Sequence, residues 1–302
     1  MPTQNELCFV QFIHPGKEHG PDRARFKDWN RDVHKRKFVE IAGRYLRNGE
    51  PRDDLLRFWT EWEPQSEVDS IRQPVNDGPR FLHKPFYVVP PSYHGLQNTD
   101  PFAFGKTFFY TCCQQYTTHG ETQLRRLDSG SVILFGSCVG GRFAIDTVFV
   151  VGRKPDDHNS QDYSKLQGSV PQVYWDVTIR PLYESNRGGN SNAPCAQGPS
   201  WRLYRGATID DDVDGMFSFF PCVPAEQSPN GFARPLIVNP SVITTNLLQG
   251  KRLNRGVSRV DVKRFWNDVR KQVESANLSI GVFAEMPGQR TSIAKANANA
   301  FL

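Results

Sequence analysis

The sequence predicts an α+β chain with a β-rich single globular core, mixed or barrel-like, long ordered loops and a C-terminal amphipathic helix. Three observations predict it. Residues 131–151, SVILFGSCVGGRFAIDTVFVV, read as two apolar strands around a glycine-rich turn, the pattern of a β-hairpin set in a core. The 22 prolines and 24 glycines imply many turns, which suits short strands better than long helices. Between Ser258 and Glu274, the residues Val262, Phe265, Trp266, Val269 and Val273 repeat at helical spacing, and basic residues fill the opposite face.

In chain order, Glu6 to Ile13 (ELCFVQFI) reads as an opening strand, broken into a loop by Pro15, Gly16, Gly20 and Pro21. Asp28 to Tyr45 is largely polar, with Trp29, Val33, Phe38 and Ile41 as anchors, and reads as a loop with a short strand. Asp54 to Trp62 alternates as a strand that Pro64 ends. Gln65 to Gln97, carrying Pro74, Pro79, Pro85, Pro90 and Pro91, reads as ordered loop. In the hairpin, strands Ser131 to Phe135 and Arg142 to Val151 flank a turn at Gly136 to Gly141. Tyr174 to Ile179, Trp201 to Ala207, Met216 to Val223 and Leu278 to Phe283 read as further strands, and SNRGGNSN from Ser185 opens a flexible loop. No internal repeat or linker divides the chain, so residues 1–302 read as one domain.

Composition narrows the class. The 12% aromatic content supplies large buried side chains and argues against disorder. No apolar run approaches a membrane span, and MPTQNELCFV has no basic n-region or cleavage site, so a cytoplasmic protein is expected. Cys8, Cys112, Cys113, Cys138, Cys195 and Cys222 form no CxxC pair; they read as reduced, buried thiols, with no metal and no cofactor implied. The net charge of +5 is mild, but its distribution is uneven. Residues 251–271 hold eight basic residues against Asp261 and Asp268, and residues 17–57 hold twelve against eight acidic ones. Such stretches suit phosphate contacts, although a solvated face is the plainer reading of any one of them.

Four stretches carry chemistry-bearing residues. His14, His19 and His34, with Trp29 and Asn30, fall in an opening stretch whose spacing is not that of a helical zinc motif. Glu61 and Glu63 flank Trp62, so on a strand the two carboxylates share one face. Lining a cleft, such a pair suits general acid and base work; on an edge strand it is only an acidic solvent face. Gln97, Asn98 and Asp100 sit on a turn before Phe102, Phe104 and the run 108–113. Amides can read the edge of a base and aromatics can stack on it, whereas the plain alternative is an Asx turn with the aromatics in the core. Gly136 to Gly141 is neither a P-loop nor a dinucleotide fingerprint, and a hairpin turn explains it.

Five segments carry a resemblance: His14 to His19 (HPGKEH), Trp29 to Phe38 (WN…HKRKF), Phe58 to Ser66 (FWTEWEPQS), Gln97 to Gly105 (QNTDPFAFG), and Gly130 to Gly152 with its DTVFVVG ending. They resemble a group of bacterial proteins. Through them the chain is similar to the anti-phage DNA glycosylases that excise glucosylated hydroxymethylcytosine from phage DNA. The TDPF string also resembles the water-activating loop of uracil-DNA glycosylases, with Asp100 at the acid position. Asn239-Pro240-Ser241 departs from their His-Pro-Ser loop by lacking the histidine. The resemblance implies a hydrolase of antiviral defence that flips a modified base from double-stranded DNA and leaves an abasic site. Its catalytic candidates are Asp100, Glu61, Glu63 and His14. Asn98, Gln97, Phe104, Tyr110, Asn30, His19 and His34 would bind the base, and Lys35, Arg36, Lys37, Lys263 and Arg264 the DNA backbone. The alternative is a non-catalytic, PUA-like reader of modified bases. An enzyme acting on a small nucleotide is a third reading of the same pocket chemistry.

Overall fold

The computed structural model describes residues 5–14, 16–21, 35–89, 99–117, 119–184, 200–244 and 250–291. Its strands are β1 (Cys8–Ile13), β2 (Lys37–Arg47), β3 (Glu50–Thr60), β4 (Ser66–Ser70), β5 (Phe81–Tyr87), β6 (Phe109–Tyr110), β7 (Tyr116–Thr117) and β8 (Gly120–Glu121). They continue as β9 (Val132–Val139), β10 (Arg142–Val150), β11 (Asp156–His158), β12 (Trp201–Arg205), β13 (Phe220–Pro224), β14 (Gly250–Arg255), β15 (Ser279–Ala284) and β16 (Gly288–Gln289). The fold is α+β and β-rich, with a C-terminal helix, as the sequence predicts.

One sheet has the order β10-β9-β1-β14, with β1 parallel to β9 and antiparallel to β14. Every residue of β1 is buried, because both faces of this sheet are covered. Phe9 meets Phe265 of the C-terminal helix on one face, and Phe12 packs on Tyr110 and Phe135 on the other. The β9–β10 hairpin turns on Gly140 and Gly141, both with positive φ, so the turn is tighter than the predicted Gly136 to Gly141.

The second sheet runs β15-β13-β3-β2-β5-β16, with β4 on β5. β15 also pairs with β2, so β2, β3, β13 and β15 close into a four-stranded ring. Closure works because β2 is eleven residues long: β5 meets it at Val39, and β15 pairs with it between Gly43 and Leu46. At that seam the backbones approach closely. A Cβ on Gly43 would lie 2.4 Å from the Phe283 carbonyl oxygen and 2.9 Å from Leu56 Cδ1.

Three predicted elements are corrected. Asp28 to Tyr45 was expected to be mostly loop, but β2 fills its second half; the charged residues there pair across the sheet, Arg57 with Glu40 at 2.7 Å and Arg44 with Asp53 at 2.8 Å. The proline-rich stretch from Gln65 contains β4 and β5, and Pro85 sits inside β5 opposite Ser66. Tyr174 to Ile179 is helical rather than extended, lying across Gln172–Tyr174 and the π turn Trp175–Ile179, which Arg180–Glu184 continues. A short, fully buried apolar run has no period that separates strand from helix. Pro181 has no N–H to return to the preceding turn, which accounts for the widening there.

The C-terminal helix, Arg259–Ser275, matches its prediction. Ser258 caps it by accepting from Asp261 N, and Val262, Trp266, Val269 and Val273 are its buried stripe. Gly43→Ala is expected to destabilise the chain by about 1–3 kcal/mol, because the seam must part to admit a methyl group. Gly288→Ala, where a Cβ meets nothing within 4 Å, should stay within about 0.5 kcal/mol of wild type. Urea unfolding of both variants checks the seam, and equal midpoints would remove it as a constraint.

Candidate functional site

Strand ends from both sheets converge on one buried polar cluster. His14 directly follows β1, Arg36 directly precedes β2, Lys37 is the first residue of β2, and Glu61 directly follows β3. Asp146 comes from the middle of β10, where the ladder with β9 shifts register between Ile145 and Thr147. Asp146 is therefore the extra residue of a β-bulge, a device that re-aims a side chain. Gly136 lies opposite, where a Cβ would stand 2.1 Å from the Ala144 carbonyl oxygen.

Arg36 is the hub. Its Nη1 donates to Glu61 Oε2 at 2.8 Å and its Nε to Asp146 Oδ2 at 2.5 Å. Burial opposes the charge on Arg36, but the Coulombic pull of Glu61 and Asp146 and hydrogen bonds to both leave its pKa above the usual value. The same Glu61 oxygen lies 3.0 Å from His14 Nδ1. A second guanidinium reinforces the bulge: Arg234 donates to Ser137 Oγ at 2.8 Å and to the Gly16 carbonyl at 2.7 Å, with Asp146 Oδ1 at 3.7 Å. Arg234 also stacks over Trp59 at 5.0 Å. Lys37, fully buried, donates to the Pro64 carbonyl at 2.6 Å. Arg36 and Arg234 thus face Glu61 and Asp146, which is how this charge is kept out of water.

Beside this array, His83 is fully buried, with Nδ1 2.7 Å from Ser66 Oγ and Nε2 3.0 Å from the His19 carbonyl. A carbonyl only accepts, so Nε2 carries a proton and, in neutral imidazole, Nδ1 accepts the Ser66 hydroxyl. Glu63 N donates to Thr99 Oγ1 at 3.2 Å, and Thr178 Oγ1 donates to the Thr99 carbonyl at 3.4 Å. Thr99 thereby ties Glu63 to the π turn that carries Asp176. Burial raises the Asp176 pKa above the usual carboxylate value, against a hydrogen bond from Gln172.

Several predicted site residues land elsewhere. Arg36 and Lys37 are interior rather than DNA-facing: Arg36 meets the carboxylates of Glu61 and Asp146, and Lys37 meets the Pro64 carbonyl. Phe104 and Tyr110 offer no open face for a base, since both are fully buried. Phe104 packs on Trp62 and Phe102, and Tyr110 on Tyr204 and Phe135. Asp100 is also fully buried, and its oxygens accept Thr111 N at 2.9 Å and Cys113 N at 3.0 Å, so it braces a turn. Lys263 and Arg264 are exposed on a helix covering the Phe9 face of the first sheet, whereas His14 shares the Phe12 face. Lys35 is half-buried, next to the hub. His19 lies against His83, with ring centroids 6.0 Å apart. Asn30, His34, Gln97 and Asn98 lie outside the described residues.

Sequence reasoning missed Asp146, Arg234, His83, Ser66 and Asp176. Asp146 had a readable signal, as a lone carboxylate inside the apolar run 143–151. Arg234 and His83 carried none, because their roles depend on contacts far away in sequence. Compared with known proteins, the chain matches no family model, no curated protein and no solved structure.

Two outcomes follow from this electrostatic arrangement. Asp146→Ala removes the carboxylate shared by two buried guanidinium groups and is expected to cost about 3–5 kcal/mol, read from urea unfolding; a loss under 1 kcal/mol would mean that water reaches the array. His158 bonds Thr111 Oγ1 at 2.8 Å and Tyr183 at 2.7 Å, and burial pushes its pKa from 6.5 down to about 4. Between those values the unfolded chain binds the extra proton. The contribution of about 3 kcal/mol is therefore complete above pH 6.5 and lost as the pH falls toward 4. Thermal melts across this range should show a slope that His158→Gln flattens.

Proposed function

We propose that this chain is a DNA glycosylase that excises a glucosylated hydroxymethylcytosine from phage DNA, leaves an abasic site and so acts in antiviral defence. The observation that carries the reading is Glu61 held between His14 Nδ1 and Arg36 Nη1, at 3.0 and 2.8 Å, inside a cluster otherwise shielded from water. Support also comes from the resemblance, since four of its five segments deliver side chains to this cluster: His14, Arg36, Glu61 and Asp146. The fifth reaches it through Thr99.

N-glycosidic hydrolysis needs this kind of chemistry. The bond between C1′ and the base breaks heterolytically, the electron pair leaves with the base, and positive charge grows on the sugar. An ionised carboxylate facing the sugar stabilises that charge, and a base takes the proton of the attacking water. In this reading His14, oriented by Glu61, passes a proton to the departing base, while Glu63 faces the sugar and receives the water proton. Arg36, being interior, holds Glu61 and Asp146 in place. Asp100 is left to its turn.

A second reading has its own observation. The closed ring of β2, β3, β13 and β15 suits a PUA-like barrel that clamps a flipped base without cutting it.

Purified protein incubated with phage DNA carrying glucosylated hydroxymethylcytosine is expected to produce alkali-labile breaks that unmodified DNA lacks. Glu63→Gln and Glu61→Gln should each slow break formation by about 10²-fold or more while binding persists. Binding of modified DNA without breaks would replace the glycosylase by the reader. Neither binding nor breaks would remove both.

A further inference from the structure

Away from the Glu61 cluster, a second group of donors meets inside the protein. The Asp100 carboxylate and the thiols of Cys112 and Cys113 each offer a ligand atom, and these atoms lie within 4.8 Å of one another. Asp100 is fully buried, Cys112 nearly so and Cys113 half-buried. An independent observation points to the same place. Tyr174 is fully buried, and its hydroxyl has no hydrogen-bond partner among the described residues. The Tyr174 ring stacks on Phe109 at 4.9 Å and packs on Phe102 at 5.1 Å, and these two residues lie on the same two segments as Asp100, Cys112 and Cys113. Leaving such a group unsatisfied is costly, and most buried polar atoms are paired.

We propose that Asp100, Cys112 and Cys113, with the Tyr174 hydroxyl at the fourth position, hold a thiophilic divalent cation of the zinc class. Two sulfurs and one carboxylate select such an ion over magnesium or calcium, which prefer all-oxygen shells. Three protein donors and a phenol fill a tetrahedron, the arrangement of a closed structural site. The outer shell is in place as well. The Asp100 oxygens are oriented by Thr111 N and Cys113 N. The Thr111 hydroxyl is held in turn by His158. Binding releases the two thiol protons to solvent and changes no oxidation state, so affinity rises with pH. The sequence hides the site because adjacent cysteines plus an aspartate in the preceding turn match no zinc spacing. The assignment stands apart from the glycosylase reading.

The full-length chain, purified under reducing conditions and stripped with chelator, is titrated with cobalt(II) and then zinc. One equivalent of cobalt is expected, with thiolate-to-cobalt charge-transfer absorption that zinc abolishes. The double variant Cys112→Ser, Cys113→Ser should lose that band, while Tyr174→Phe should keep it and bind about tenfold more weakly. No charge-transfer band in the wild type, or an undiminished band in the double variant, overturns the site. Should the double variant not fold, iodoacetamide labelling of the wild type decides. Zinc is expected to slow alkylation of Cys112 and Cys113 relative to the metal-free chain, and equal rates with and without zinc overturn the site.

Discussion

One buried guanidinium ties the two main sheets of this molecule together. Arg36 reaches Glu61 beyond the end of β3 and Asp146 in the bulge of β10, so a single side chain joins the closed ring to the four-stranded sheet. Buried ion pairs seldom out-stabilise apolar packing of the same volume, because desolvation cancels most of the attraction. Ion pairs held this deep, Arg36 with Glu61 and Asp146, therefore do more for geometry than for stability. They fix His14 and Glu61 in one relative position, which a loose apolar contact would not do. Stabilising a charge that appears only in a transition state requires that kind of fixity.

The parts of the fold that were legible in the sequence are those with a clear local signal. The C-terminal helix repeats its apolar residues at helical spacing, and the β9–β10 hairpin shows two apolar runs around a glycine-rich turn. β2 was harder to read because its charges are paired across the sheet rather than solvated, and a single strand does not reveal its partners. The helical run at 172–184 failed for another reason, since its centre, 173–179, is buried throughout and burial on all sides erases the period. Much the same contrast runs through the site. Glu61, Glu63, His14 and His19 could be picked out as chemistry-bearing types close together in sequence. Arg36 and Lys37 looked like surface charge, because a basic string looks the same whether or not carboxylates wait beneath it. Arg234 and His83 become functional neighbours only once β9, β10 and β5 are assembled.

Backbone bulges and turns, rather than the regular ladder, aim the key side chains. A regular β10 would alternate its residues strictly, and the extra residue at Asp146 breaks that alternation to bring a carboxylate to Arg36. The bulge is tolerated because Gly136 opposite it has no side chain to strike the Ala144 carbonyl. The sheet gives up local regularity where the cluster needs a charge.

The two buried clusters are coupled through adjacent residues. Thr99 holds the Glu63 backbone and receives Thr178 from the π turn, while Asp100 accepts the amides of Thr111 and Cys113. Whatever fixes Asp100 also fixes Thr99, and through it the backbone that presents Glu63. A carboxylate at a strand end would otherwise sample many orientations, and each costs effective concentration at the reacting atom. Rigidity at Asp100 therefore reaches the proposed catalytic carboxylate along one peptide unit and one hydrogen bond. On this arrangement, a cation among Asp100, Cys112 and Cys113 would act at a distance, by bracing the segment that aims Glu63, and it would have no need to touch the substrate.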